Sequence, residues 1–404
     1  MSTSLLYHGF GINGYQYVRT IYRKGKVIFC IIPKAFSLCC PICGSKRVKR
    51  RGTKTRMFRT IPIGLKSVFI QIPIQRIECQ RCHIIRQVKI KFAKWRRSYT
   101  KAFEYYALAL SQHMTILDVA NHLGVSWDTI KDIQKRYLSK KYKYPRLKNI
   151  THIAIDEISI GKGHRYLTVV LDLKTGAVIF VGDGRGVDSL KPFFKRLKYS
   201  KAEIKAVAID MSPSYIAAVL ENLPESTIVF DHFHVIKLLN DKLSQLRRSL
   251  HREAEGPLQK KVLKGTRWLL LKNACNLNER KNEKERLEEA LSLNKPLATA
   301  YYLKEDLKQV WKQVCKSDAK TILTDWIKKA QSTGITILQK FAKTLAGHAF
   351  GILNYYDYPI STGPLEGTNN KIKTLQKQAY GYRDMDFFKL KIYGLHKAKY
   401  ALVG

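Results

Sequence analysis

The stretch ITHIAIDEISI, residues 150–160, decides how the rest of the chain divides. It is an apolar run that reaches two acids, Asp156 and Glu157, and the segments after it keep its strand-like character. HRYLTVVLDL (164–173) and AVIFVGD (177–183) are further apolar runs joined by the turn Lys174-Thr175-Gly176. DSLKPFFKRL (188–197) has helical spacing, and IKAVAID (204–210) is a strand ending in Asp210. SPSYIAAVLENL (212–223) is a helix with Ser212 at its cap and Pro213 at its first position. STIVFDHFH (226–234) is another strand, ending in Asp231. The order β-β-β-α-β-α-β predicts an α/β domain, a mixed sheet covered by helices.

Two of these strands end in Asp156 and Asp210. Ligands gather beyond strand ends in such sheets, and Mg²⁺ takes hard carboxylate oxygens, usually few of them from protein. Either aspartate alone reads as a turn residue; two on neighbouring strands read as a candidate metal site. Glu157 and Asp172 lie near the same sheet and read as strand-end or turn residues.

Residues 235–355 change character. Segments such as NEKERLEEALSL and YLKEDLKQVWKQV show helical spacing, which predicts a mostly helical insertion. After it comes STGPLEGTNNKIKTLQKQAYGYR, residues 361–383, in which Glu366 is the only acid. Ser361 or Thr362 caps this helix and Pro364 opens it, so Glu366 falls in its first turn. Asn370, Lys373 and Lys377 share a face with Glu366 and suit a phosphate backbone.

Upstream the chain is strongly basic. It carries 73 Lys+Arg against 31 Asp+Glu over 404 residues, a net charge of +42. Within residues 1–100 there are 22 basic residues and one acid, Glu78. That imbalance points to a polyanionic partner, nucleic acid above all. SKRVKRRGTKTRMFR supplies Arg47, Arg50, Arg51, Lys54 and Arg56 as candidate phosphate contacts, and KIKFAKWRRSY has the same composition. The opening residues lack a basic segment followed by an apolar one, and no apolar run reaches about 18 residues. A signal peptide and a membrane span are therefore not expected, and the expected location is the cytoplasm, where paired cysteines suggest metal rather than disulfides.

Four of the eight cysteines fall as Cys40-Pro-Ile-Cys43 and Cys79-Gln-Arg-Cys82, enough thiolates for a closed zinc site. Between them Val68, Ile70, Ile72 and Ile74 alternate as a strand of a small ribbon that the metal would hold together. Cys39 and His83 border the pairs and could substitute as ligands. Cys30, Cys275 and Cys315 read as ordinary buried thiols. Next, MTILDVANHLGVSWDTIKDIQKRYL (114–138) reads as a helix-turn-helix. Ile116, Val119, Ala120 and Leu123 make one apolar face, Gly124 the turn, Ser126 the second cap, and Ile130 and Ile133 resume the core. The second helix would bring Trp127, Asp128, Thr129 and Lys131 to base edges. A plain helical hairpin is the competing reading.

Together CPIC…CQRC, the helix-turn-helix, IAIDE, GHRYLTVVLD, GDGRG, VAIDMSPSY, VFDHFHVIK, GTRWLLLKN and GPLEGTNNKIK resemble the DDE transposases of bacterial insertion sequences, of the ISL-three family. The likeness covers nearly the whole chain and keeps the family's order. It implies an RNase H-like mixed sheet interrupted by an all-helical insertion and preceded by a zinc ribbon and a helix-turn-helix. It implies Asp156, Asp210 and Glu366 as catalytic residues and Mg²⁺ (or Mn²⁺) ligands, with Asp156 bridging two ions, and zinc in the ribbon. It also implies double-stranded DNA as partner, both the terminal inverted repeats and a target, an assembly of two or more copies on that DNA, and a bacterial, nucleoid-associated location. The expected divisions are 1–98 (zinc ribbon), 99–149 (helix-turn-helix and linker), 150–234 (first part of the core), 235–355 (helical insertion) and 356–404 (core helices carrying the glutamate). Four accessory candidates remain open. Asp231 and His234 form a D-x-x-H pattern that serves the scissile phosphate or simply fixes the strand end. Trp268 stacks on an unpaired base or fills a core. Arg185 contacts phosphate or nothing. A transposase-derived DNA-binding regulator without catalysis, and a metal hydrolase unrelated to mobility, are the alternatives.

Overall fold

A computed structural model describes residues 4–34 and 38–396. By internal contacts the chain forms two compact units: residues up to Lys143 together with those from Thr374 onward, and Tyr144–Lys373.

The first unit begins with a five-stranded sheet, β1 (Tyr15–Arg23), β2 (Lys26–Pro33), β3 (Val48–Ile63), β4 (Lys66–Cys79) and β5 (Ile85–Gln87). The order is β1-β2-β4-β3, with β5 also on β4. The alternation read in the sequence is that of β4. Val68, Ile70, Ile72 and Ile74 are all buried and meet Phe29, Ile31, Phe58 and Phe92. Each such side chain contributes about 2 kcal/mol of burial. The long β3–β4 ribbon breaks register between Arg50 and Thr53, where Gly52 takes φ +90°, a conformation an L side chain resists.

Three helices follow, Lys101–Leu110, Ile116–Leu123 and Trp127–Tyr142. Thr115 and Asp118 form a reciprocal cap at the second, and Gly124 ends it at φ +59°. Ser126 caps the third by accepting from Thr129 N. Ile116, Val119, Ala120, Leu123, Ile130 and Ile133 share one core with Phe103. Phe387 and Leu390 of the helix Met385–Gly394 complete that core. By internal contacts the second unit ends at Lys373; of the expected segment 356–404, residues 397–404 lie outside the described residues.

The second unit is built on β6 (His152–Gly161), β7 (Arg165–Asp172), β8 (Val178–Asp183), β9 (Ala206–Ile209) and β10 (Thr227–Phe230). Their order is β10-β9-β6-β7-β8. The first three run parallel and the last two antiparallel, so the sheet is mixed. The helices Val187–Ser200 and Pro213–Asn222 make the two crossovers. From His232 to Tyr356 the described chain forms helices and connecting turns, with no strand. These helices share a core with the sheet, in which Trp326 is buried and its indole N–H donates to Leu303 O at 2.7 Å. The helix Thr336–Leu353 seats directly on β10, since a Cβ on Gly351 would come within 2.4 Å of the Phe230 ring. The helix Gly363–Gln378 then carries Glu366.

Candidate active site and DNA-binding elements

The four ribbon thiols converge. Cys40 Sγ lies 3.6 Å from Cys82 Sγ and Cys43 Sγ 3.5 Å from Cys79 Sγ, with all four within 4.8 Å of one another. A tetrahedron with metal–sulfur bonds of about 2.3 Å has edges of about 3.8 Å, so the set fits zinc. Backbone N–H groups of Cys82 and Arg81 help draw the Cys79 thiol down to about 6, against burial. Those of Cys43 and Ile42 lower Cys40 likewise. Cys39 is exposed and, like His83, outside the set. The expectation of buried thiols elsewhere needs correction: Cys30 is half-buried, and Cys275 and Cys315 are exposed.

Along β3 and the turn before it, Arg47, Arg50, Arg51 and Lys54 are exposed. Arg51 donates to Glu78 at 2.8 Å, and half-buried Arg56 donates to Arg97 O at 3.0 Å. Trp127 stands exposed at the start of the second helix of the helix-turn-helix, with Thr129 on Ser126. Lys131 is less available than its position suggested. Its ammonium lies 3.0 Å from Asp384 and 5.1 Å from the Trp127 ring centre.

In the second unit the aspartates stand side by side. Ala154 of β6 pairs with Ala208 of β9, so two residues further on Asp156 is level with Asp210. Phe230 of β10 pairs with Ile209, so Asp231 is level with Asp210 from the other side. Asp210 and Asp231 follow directly on β9 and β10, whereas Asp156 lies midway along β6, which was expected to end there but pairs with β7 as far as Gly161; the three acids form a row, Asp231–Asp210–Asp156, across neighbouring strands. Asp156 Oδ1 accepts from Glu157 N at 2.7 Å, and Asp210 Oδ1 from Ser212 N at 3.0 Å. Burial pushes the Asp156 carboxyl up; the Glu157 N–H and the charge of His234 oppose this, and the charges of Asp210 and Glu157 add to it.

The glutamate helix is tied to both ends of that row. Thr362 Oγ1 donates to Asp231 Oδ2 at 2.7 Å, and Asn369 Nδ2 donates to Asp156 Oδ2 at 2.9 Å. Glu366 lies four residues after one tie and three before the other, so the three positions share a side of the helix. Seven helical residues rise about 10.5 Å, and two strand spacings span about 9.6 Å. The lengths match, so one stretch of helix reaches both ends of the row, with Glu366 between its two ties in sequence. Glu366 is exposed, as are Asn370, Lys373 and Lys377, while Leu365, Thr368, Asn369, Ile372 and Leu375 are buried. Among the described residues the cysteines are the one set of three or more metal-ligating side chains closed to within 4.8 Å.

His234 opens with Asp210, Ser212, Lys237 and Asp241 onto a cleft of about 290 Å³. The backbone N–H of His234 donates to Asp231 O at 3.1 Å, while the Asp231 carboxylate meets Thr362 Oγ1 and, at 3.5 Å, His232 Nδ1. Glu157 points elsewhere and accepts from Tyr215 OH at 2.6 Å; Asp172 closes a turn with Lys174 N and Thr175 Oγ1. Trp268 is 66% exposed with the Arg267 guanidinium over its ring, so it is no core residue. Arg185 is exposed and its guanidinium lies 5.2 Å from the Tyr166 ring centre. The residue that sequence reasoning missed is Asn369. Its signal in the sequence is its i+3 spacing from Glu366 on the buried side of the helix, one position before Asn370.

A four-thiolate ribbon, a helix-turn-helix and a sheet edged with carboxylates define a DNA-binding protein of the transposase class. Comparison with known proteins makes the assignment particular. Residues 153–392 match the transposase domain of the ISL3 family, residues 88–138 the helix-turn-helix domain of transposase family ISL3, and residues 38–82 the zinc-finger of transposase IS204/IS1001/IS1096/IS1165. The chain is 34% identical over 373 residues to the transposase for insertion sequence element IS1001 of Bordetella parapertussis, covering 89% of each. It is 29% identical over 369 residues to the transposase for IS1557 of Mycobacterium tuberculosis, covering 85% of this chain and 82% of that one. A solved Drosophila P element transposase strand transfer complex resembles 77% of this chain and 95% of its own at a TM-score of 0.41 and 13% identity, too remote to bear on the site. The chain belongs to the ISL3 family of insertion-sequence transposases. The family bears out transposition, not a silent regulator, and zinc in the ribbon. None of the helices in the described residues is long and apolar enough to cross a membrane.

Proposed function

We propose that Asp156, Asp210 and Glu366 are the catalytic carboxylates of an RNase H-like core, split by the helical segment 235–355, and that they hold Mg²⁺ or Mn²⁺. The observation that carries this is the bridging of the aspartate row by the glutamate helix through Thr362–Asp231 and Asn369–Asp156. The donor set is all hard oxygen, which suits those ions. Bound there, the metal supplies activation of a water or a 3′-hydroxyl and charge stabilisation at the phosphodiester. The chain's own residues position and neutralise. Lys373 and Lys377, exposed below Glu366, take the phosphate backbone, and Lys237 and His234 face the cleft beside Asp210. His234 is suited to the scissile phosphate and Trp268 to stacking on an unpaired base.

The DNA partner is the element's terminal inverted repeats. Arg47, Arg50, Arg51, Lys54 and Arg56 bind its backbone, and Trp127, Thr129 and Lys131 lie nearest its bases, Lys131 after releasing Asp384. Arg185 contacts phosphate. Cutting and joining two ends calls for at least two copies on DNA, acting at the bacterial chromosome in the cytoplasm. The test is incubation of the protein with Mg²⁺ and a duplex ending in the repeats. Nicks leaving 3′-hydroxyls at the repeat boundary are expected. Binding without cleavage in either Mg²⁺ or Mn²⁺ would overturn the reading.

A further inference from the structure

Glu366 reaches the sheet only after a long helical excursion, so something other than chain connectivity must set its height along the carboxylate row. We infer that Thr362 and Asn369 are positioning residues, a two-point clamp that fixes Glu366 relative to Asp156 and Asp210; this rests on the carboxylate reading above. Thr362 stands where a helix cap would stand. Its carbonyl accepts from Leu365 N and Glu366 N, but its hydroxyl turns away from the helix and donates to Asp231. Ser361 Oγ instead takes Gly363 N. Both partners of the Thr362 bond are 2% exposed, so water does not compete for it.

The second point of the clamp is Asn369, 7% exposed, whose amide nitrogen is on Asp156 and whose Oδ1 has no hydrogen-bond partner. A buried amide with one half unpaired is tolerated where its other half does something needed. Here that half fixes the rotamer of a carboxylate and, through it, the helix carrying Glu366. The D-x-x-H pattern divides accordingly. Asp231 is the anchor of the clamp, and His234 faces the cleft.

The test compares Thr362→Val, Thr362→Ser and Asn369→Ala with wild type in the full chain. Thr362→Val and Asn369→Ala are expected to raise the Mg²⁺ concentration for half-maximal cleavage about tenfold, with unchanged affinity for the terminal-repeat duplex. Thr362→Ser, which keeps the hydroxyl, should behave as wild type. In metal-free protein, amide hydrogen exchange over residues 363–369 should quicken in the Val and Ala variants and stay unchanged over β6 and β9. Unchanged exchange over 363–369 in both variants overturns the clamp, whatever the activity. Wild-type cleavage by Glu366→Gln overturns the carboxylate reading instead, and the exchange result separates the two failures.

Discussion

Asn369 donates to Asp156 across 213 residues of sequence, at 2.9 Å. The bond joins the glutamate helix to the first strand of the sheet and leaves Asp156 ordered but costly, because burial disfavours its charge.

That cost predicts an exchange of stability against activity. Above the raised pKa of Asp156 the folded chain carries a buried charge that the unfolded chain keeps in water, so ionisation destabilises the metal-free protein. Asp156→Asn removes the charge; its Oδ1 still accepts from Glu157 N, and its new NH2 group donates to Asn369 Oδ1, unpaired in the wild type, once the Asn369 amide turns over. Thermal melts in chelator at pH 7 should show a higher Tm for the variant, by about 2–4 °C for each kcal/mol relieved, alongside lost cleavage. A lower Tm would contradict this account of the site.

A second prediction concerns the seat of β10. Gly351→Ala places a methyl 2.4 Å from the Phe230 ring carbon, where backbone or ring must move. Overpacking of this kind costs about 1–3 kcal/mol. Calorimetry should show the loss, while zinc content, which depends on the other unit, stays at one ion per chain.

Zinc gives the third. Cys43→Ser and Cys79→Ser remove ligands from a ribbon held by four thiolates. Elemental analysis should show zinc lost, and affinity for the terminal-repeat duplex should fall with it. Full zinc occupancy in either variant would contradict the ligand set.

The fourth is a pH dependence. Burial pushes Asp384 up, but Lys135, the Phe387 N–H and Lys131 outweigh it and hold the carboxyl at about 2. Its folded pKa lies below the unfolded value of about 4, so its contribution is present above pH 4 and is lost as pH falls towards 2. Discounted for partial exposure, that contribution is roughly 1 kcal/mol. Asp384→Asn should lower stability at pH 7 by about that amount and flatten the acid limb between pH 4 and 2. The parallel acid limb of variant and wild type would contradict it.

Much of this was legible in the chain because it is local. The alternation at Val68–Ile74, the CxxC pairs, the apolar faces either side of Gly124 and the strand run ending at Asp210 are each written within a few residues, whereas β6 runs on past Asp156 to Gly161 because it pairs there with β7. What stayed hidden is pairing at long range. Nothing near Thr362 announces Asp231, nothing near Lys131 announces Asp384, and Phe387 gives no sign that it completes the helix-turn-helix core. The exposure of Cys275 and Cys315 was unreadable for a simpler reason: an isolated cysteine carries no period.

The most direct test of the carboxylate site is a comparison of Asp156→Asn, Asp210→Asn and Glu366→Gln for Mg²⁺-dependent strand cleavage, with binding to the same duplex measured in parallel. The account predicts that each variant binds DNA within about twofold of wild type and cleaves at least about 10³-fold more slowly. Cleavage by any one of the three within about tenfold of wild type would contradict it.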